Sequence, residues 1–72
     1  MIVVGLYDEY DDGSKILCFL KDRSQKHIKH FYTQSEARAT LLATGITEQE
    51  LDMALEAKTI QFICKHDKRY PL

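Results

Sequence analysis

The first segment, Ile2 to Tyr10, carries apolar side chains on both alternating faces: Ile2, Val4 and Leu6 on one, Val3 and Tyr7 on the other. A strand of that kind is covered on both sides, and a central place in a sheet explains it. Asp12-Gly13 follows, a pair suited to a type I′ hairpin turn because both central residues of that turn take positive φ. Lys15 to Lys21 returns as a second strand, with Ile16, Cys18 and Leu20 alternating with Leu17 and Phe19. The polar run Asp22-Arg23-Ser24-Gln25 predicts another reversal. Lys26 to Tyr32 has β-branched and aromatic members but poor alternation, since Ile28 and Phe31 fall on opposite faces. That pattern predicts an edge strand with solvated flanks.

Between Thr33 and Lys58 the period changes to that of a helical hairpin, with helices over 34–44 and 48–58. Gly45 suits the left-handed residue that ends a helix, with the apolar Ile46 behind it. Thr47 and Glu50 have the spacing of a capping box, and Ile46 and Leu51 that of a hydrophobic staple. Thr33 and Glu36 repeat the capping-box spacing at the start of the first helix. Leu51, Ala54 and Leu55 form the apolar stripe of the second. Thr59 to His66 then alternates cleanly, with Ile60, Phe62 and Cys64 on one face. Residues 67–72 read as a polar tail that Pro71 keeps extended.

The element order is therefore βββααβ, a two-layer α+β sandwich in which a helical hairpin covers one face of a four-stranded antiparallel sheet. Alternating directions make the last strand antiparallel to its neighbour, and the two apolar faces of the first strand favour it as that neighbour. The predicted strand order is 4-1-2-3. Seventy-two residues form one small domain, 1–72, with a modest core and little room for a deep cleft.

Ten basic against eleven acidic side chains, a net charge of -1, give no whole-chain attraction to nucleic acid or to an anionic membrane. The opening apolar run is too short to span a bilayer and has no basic flank, which predicts no leader and no membrane partner. Cys18 and Cys64 lie in apolar runs, form no disulfide framework and read as buried thiols of a reducing, cytoplasmic compartment.

Candidate chemistry is sparse. Asp8, Asp12 and Gly13 match the first, fifth and sixth positions of a calcium loop, but Tyr10 and Phe19 stand where the third ligand and the bidentate glutamate belong. His27, His30 and His66 with the two cysteines lack zinc-site spacing, so no metal and no other cofactor is expected. No phosphate loop, nucleophile elbow or paired-carboxylate signature is present, which argues against an enzyme. A DNA-reading helix-turn-helix is opposed by Glu48, Glu50, Asp52 and Glu56 on the second helix. Ala37-Arg38, Leu41, Gly45-Ile46-Thr47 and Glu50-Leu51-Asp52-Met53-Ala54 resemble, over about twenty residues of capping and core spacing, the helical region of peroxisomal docking peroxins. The surrounding strands depart from that all-helical domain, and no function is carried over.

Charge laid on the predicted topology separates by end. Asp8 to Asp12 lie at one end, and Lys21, Arg23, Lys26, Lys29, Lys65, Lys68 and Arg69 gather towards the other. Two functions follow. The first is a small intracellular protein-interaction module, a regulator, adaptor or inhibitor with a protein partner, able to self-associate through an open edge at Lys26, Ile28, His30 and Tyr32. The second is a weak nucleic-acid binder using the seven basic residues, with Tyr32 and Tyr70 as stacking faces.

Overall fold

The computed structural model describes residues 1–71, so the last position of the expected tail, Leu72, lies outside the described residues. Strand β1 (Ile2–Glu9) is the middle of a three-stranded antiparallel sheet of order β2-β1-β3, with β2 at Lys15–Phe19 and β3 at Ile60–Cys64. The outer strands are staggered along it. β2 faces Gly5 to Glu9 and β3 faces Ile2 to Leu6, so Gly5 and Leu6 alone have both neighbours. Val3, Val4 and Gly5 are buried, as the two apolar faces of this segment require.

The hairpin from β1 to β2 is not a type I′ turn. Gly13 has φ 87° and Asp12 is not among the positive-φ residues. The Gly13 N–H donates to the Tyr10 carbonyl at 2.9 Å, and the Tyr10 N–H to the Ser14 carbonyl at 2.8 Å. This is a three-residue loop, a type I turn followed by a left-handed glycine. The Asp12 carboxylate favours it by accepting from the N–H of Ser14 at 2.9 Å and from its hydroxyl at 2.6 Å.

The predicted four-stranded sheet of order 4-1-2-3 is corrected to three strands, because residues 26–32 do not form an edge strand. Beyond Leu20 the chain makes an excursion closed by the Asp22 N–H to the His27 carbonyl, 2.8 Å, and the Lys29 N–H to the Leu20 carbonyl, 2.9 Å. The groups of Leu20 and Asp22 used here are those on the β1 side of the strand line, since the Leu20 N–H also donates to Val4. The returning segment thus lies inside that line, not outside it. Phe31 exchanges both backbone bonds with Ile2, at 2.7 and 2.8 Å, and its ring is 4 % exposed. Burying that ring outweighs extending a solvated edge, which leaves Lys26, Ile28, His30 and Tyr32 off the sheet margin, with only the bridges Lys21–Ile28 and Ile2–Phe31.

Helix α1 (Gln34–Ala43) starts at Thr33, whose hydroxyl accepts from the Glu36 N–H, and Glu36 reaches back to the Tyr32 N–H at 2.9 Å, one residue beyond the capping-box position. Helix α2 (Glu48–Ala57) has the complete box: Thr47 accepts from the Glu50 N–H and Glu50 accepts from the Thr47 N–H, both at 3.1 Å. α2 stops at Lys58, which takes the left-handed conformation at φ 63° while Thr59 donates back to the Ala54 carbonyl at 3.0 Å, a Schellman stop. Phe31 sits by Ile2 and Thr59 by Tyr7, so the helices carry the chain from one end of the sheet to the other. The expected down-and-up hairpin would have returned it to its starting end.

The core between the layers is Val4, Phe31, Ala37, Leu41 and Leu51, flanked by Leu6, Leu20, Ile46, Leu55, Ile60 and Phe62. On the opposite face Val3 and Ile63 are fully buried as well. The segment after β3 is folded rather than extended: the Asp67 N–H donates to Cys64 at 2.9 Å and the Tyr70 N–H to Asp67 at 3.0 Å, two successive turns. Cys18 and Cys64 are both exposed, contrary to the buried thiols expected; α1 packs on β1 and α2 on β3. Among the described residues no helix is long and apolar enough to cross a membrane.

Candidate functional site

The outer margin of β2 is the feature with the clearest capacity to bind. Even-numbered residues of β2 bond to β1, as Leu20 and Ser14 do at its two ends. Alternation then aims the N–H and C=O groups of Lys15, Leu17 and Phe19 outward, and among the described residues none of them has a backbone partner there. The strand pairs with β1 in an unbroken register, with no proline or bulge, and its one charge, Lys15, is at its end. Ile16, 45 % exposed, and the exposed Cys18 stand beside this margin on the helix-side face. The other margin, on β3, is partly closed, because the Cys64 carbonyl takes the Asp67 N–H.

The basic residues are brought together only in part. Lys21, Arg23, Lys26 and Lys29 are exposed on the excursion after β2, and Lys65 and Lys68 are exposed beyond β3. The two segments touch where His30 Nδ1 lies 2.7 Å from Tyr70 Oη. Lys29 Nζ sits 5.9 Å from the centre of the Phe31 ring. Asp22 stays among these cations as a carboxylate, its pKa lowered by the Ser24 hydroxyl.

Arg69 is turned away from that end. Its guanidinium donates to Asp67 at 3.0 and 2.9 Å, to Tyr7 Oη at 2.9 Å and to Gln61 Oε1 at 2.8 Å. Tyr7 and Gln61 belong to the face of the sheet opposite the helices, so this clasp lays the tail across that face. Sequence reasoning missed it. Its only signal was Tyr7, a polar-tipped ring on an otherwise apolar face. The Arg69 guanidinium holds the Asp67 carboxyl at about 2, below the usual 3.8. Because the folded value is the lower one, the clasp contributes stability above about pH 4 and loses it as pH falls towards 2. Urea midpoints measured across that range should decline in the native chain. They should decline less steeply in Asp67→Asn, and equal slopes would show that the clasp contributes nothing.

A shallow groove of about 260 Å³ lies between Tyr7, Glu9, Lys15, Lys58, Thr59 and Gln61. It holds no cysteine, serine or histidine to act as a nucleophile or its base. Among the described residues no three His, Cys, Asp or Glu side chains gather to hold a metal ion. Compared with protein-family models, curated proteins and solved structures, the chain matches none.

Proposed function

We propose that this chain is a non-enzymatic protein-interaction module, a small regulator, adaptor or inhibitor that takes an extended strand of a protein partner along the outer margin of β2. The observation that carries this reading is the run of outward-facing backbone groups at Lys15, Leu17 and Phe19, flanked by exposed Ile16 and Cys18. Main-chain bonds along such a margin supply affinity, and side chains on alternate positions supply selectivity. A cytoplasmic location belongs to the same reading: two exposed free thiols persist where the medium keeps them reduced.

A synthetic extended peptide copying residues 15–21 tests the margin directly. Titrated into labelled protein under reducing conditions, it should shift the amide resonances of Lys15, Leu17 and Phe19 and slow their hydrogen exchange. Shifts confined to other surfaces, or none, would remove the reading. The second reading, binding of single-stranded nucleic acid, draws support from the exposed Lys21, Arg23, Lys26 and Lys29 and from Tyr32, which is 79 % exposed. It requires an affinity that falls steeply with salt.

A further inference from the structure

We infer that the strand received by β2 is the β2 of a second copy of this chain, paired antiparallel about a two-fold axis at Leu17. The inference rests on the open margin proposed above and adds its occupant and register.

Three observations point to a second copy. The first is charge. The chain is close to neutral, with a net charge of -1, but the two ends of the β2 margin differ in sign. Asp11 and Asp12 outweigh Lys15 at the end where β2 begins, and Lys21 and Arg23 outweigh Asp22 where it ends. Antiparallel pairing lays the acidic end of one copy beside the basic end of the other, twice in each pair. A near-zero net charge adds no general repulsion.

The second is register. Outward groups at odd positions restrict two-fold pairings to those joining odd residues. About Leu17, Lys15 bonds across to Phe19 of the second copy and Leu17 to Leu17, and the Asp11–Gly13 loop comes beside the segment that starts at Lys21. About Cys18, Lys15 would instead face Lys21 of the second copy in both symmetry-related places, like charges directly opposed. The Leu17 register avoids this and sets the stem of Lys15 beside the half-buried Phe19.

The third is apolar surface. In this register Ile16 of each copy lies directly opposite Cys18 of the other, on the helix-side face where both are exposed within one chain. Pairing covers these two exposed residues of β2 and makes one six-stranded sheet of order β3-β1-β2-β2-β1-β3. An interface five residues long is small, so the association is a concentration-dependent equilibrium rather than an obligate dimer.

Sedimentation of the intact chain under reducing agent, from micromolar to millimolar, should show mass rising towards twice that of the chain. Ile16→Lys combined with Cys18→Lys opposes like charges across the axis and should weaken association by about a hundredfold. Ile16→Lys combined with Cys18→Glu opposes unlike charges and should keep association within about tenfold of the native chain. A native chain that stays monomeric at millimolar concentration overturns the inference, and so does association that both pairs of substitutions leave unchanged or both abolish. A crosslink gives an independent answer should either double variant fold poorly. Positions 16 and 18 are a non-hydrogen-bonded pair in this register, close enough for a disulfide. Oxidised Ile16→Cys should therefore link position 16 to Cys18 of the second copy, and a link between the two Cys18 residues instead would overturn the register. A monomer that still binds the 15–21 peptide leaves the interaction module standing without the second copy. A monomer that ignores the peptide removes both.

Discussion

Phe31→Ala should unfold much of this protein at physiological temperature. The ring is 4 % exposed and belongs to the cluster that joins Val4 of the sheet to Ala37 and Leu41 of α1 and Leu51 of α2. Truncating a buried phenylalanine costs about 3–5 kcal/mol. A domain of this size holds only the lower part of the usual ~5–15 kcal/mol of net stability. The backbone bonds to Ile2 survive the substitution in principle, but the segment that makes them loses its buried side-chain anchor. Thermal unfolding followed by far-ultraviolet circular dichroism should show a midpoint lowered by well over ~10 °C. Amides of the 21–30 excursion should exchange faster than those of β3. A loss under about 1 kcal/mol would mean that the helices collapse into the vacated space, and the anchoring role of Phe31 would fall with it.

Gly5→Ala should also destabilise, against the usual trend. Gly5 is not among the positive-φ residues, so alanine suits its backbone and should stabilise a strand by roughly 0.5–1 kcal/mol through the unfolded state. Space decides otherwise. A Cβ at Gly5 would lie 2.7 Å from Ile63 Cδ1 and 3.0 Å from Leu17 Cδ1. Ile63 is fully buried and cannot swing aside, so overpacking of about 1–3 kcal/mol dominates. Ile63→Val removes the nearer of those two atoms. In a double-mutant cycle the pair should therefore cost less than the sum of its singles. Strict additivity, or a stabilised Gly5→Ala, would contradict the close approach.

These two residues also mark where the sequence was legible and where it was not. The helices, both N-caps and the central place of the first strand were written in spacing that local physics controls: Thr47 with Glu50, Gly45 after the first helix, apolar residues on both faces of β1. The joining of the last strand to β1 followed from the same double burial. The supposed edge strand failed because its period was ambiguous and the deciding term was tertiary. A single buried Phe31 drew the segment to the inner side of the β2 line. The hairpin turn was misassigned because Asp-Gly fits two loop lengths, and the Asp12–Ser14 bonds select the longer. Of the candidate basic residues, Lys21 follows β2 and Lys65 follows β3, both at the Ile2 end of β1, whereas Arg69 turns back along the sheet. No local pattern could show that Arg69 would be claimed by Tyr7, 62 residues away. The margin on β2 was hidden for a related reason: a fourth strand was assigned to cover it.

The staggering of β2 and β3 along β1 also has a consequence for how the chain reaches its fold. β1 and β2 adjoin in sequence and can pair as soon as both exist. The Ile2 half of β1, by contrast, gains its main partner only when β3 is made, across a separation like that of Tyr7 and Arg69, 62 residues. Ribosomal synthesis at about 5–20 residues per second leaves Ile2, Val3 and Val4 without that partner for several seconds. Until then the nascent chain carries an apolar strand end open on one side. Pairing across so long a loop is slow compared with helix formation, so the closing of β3 onto β1 is expected to be the slowest of these steps. A chaperone that shields short apolar strands would act on this protein at Ile2, Val3 and Val4, and only until β3 arrives.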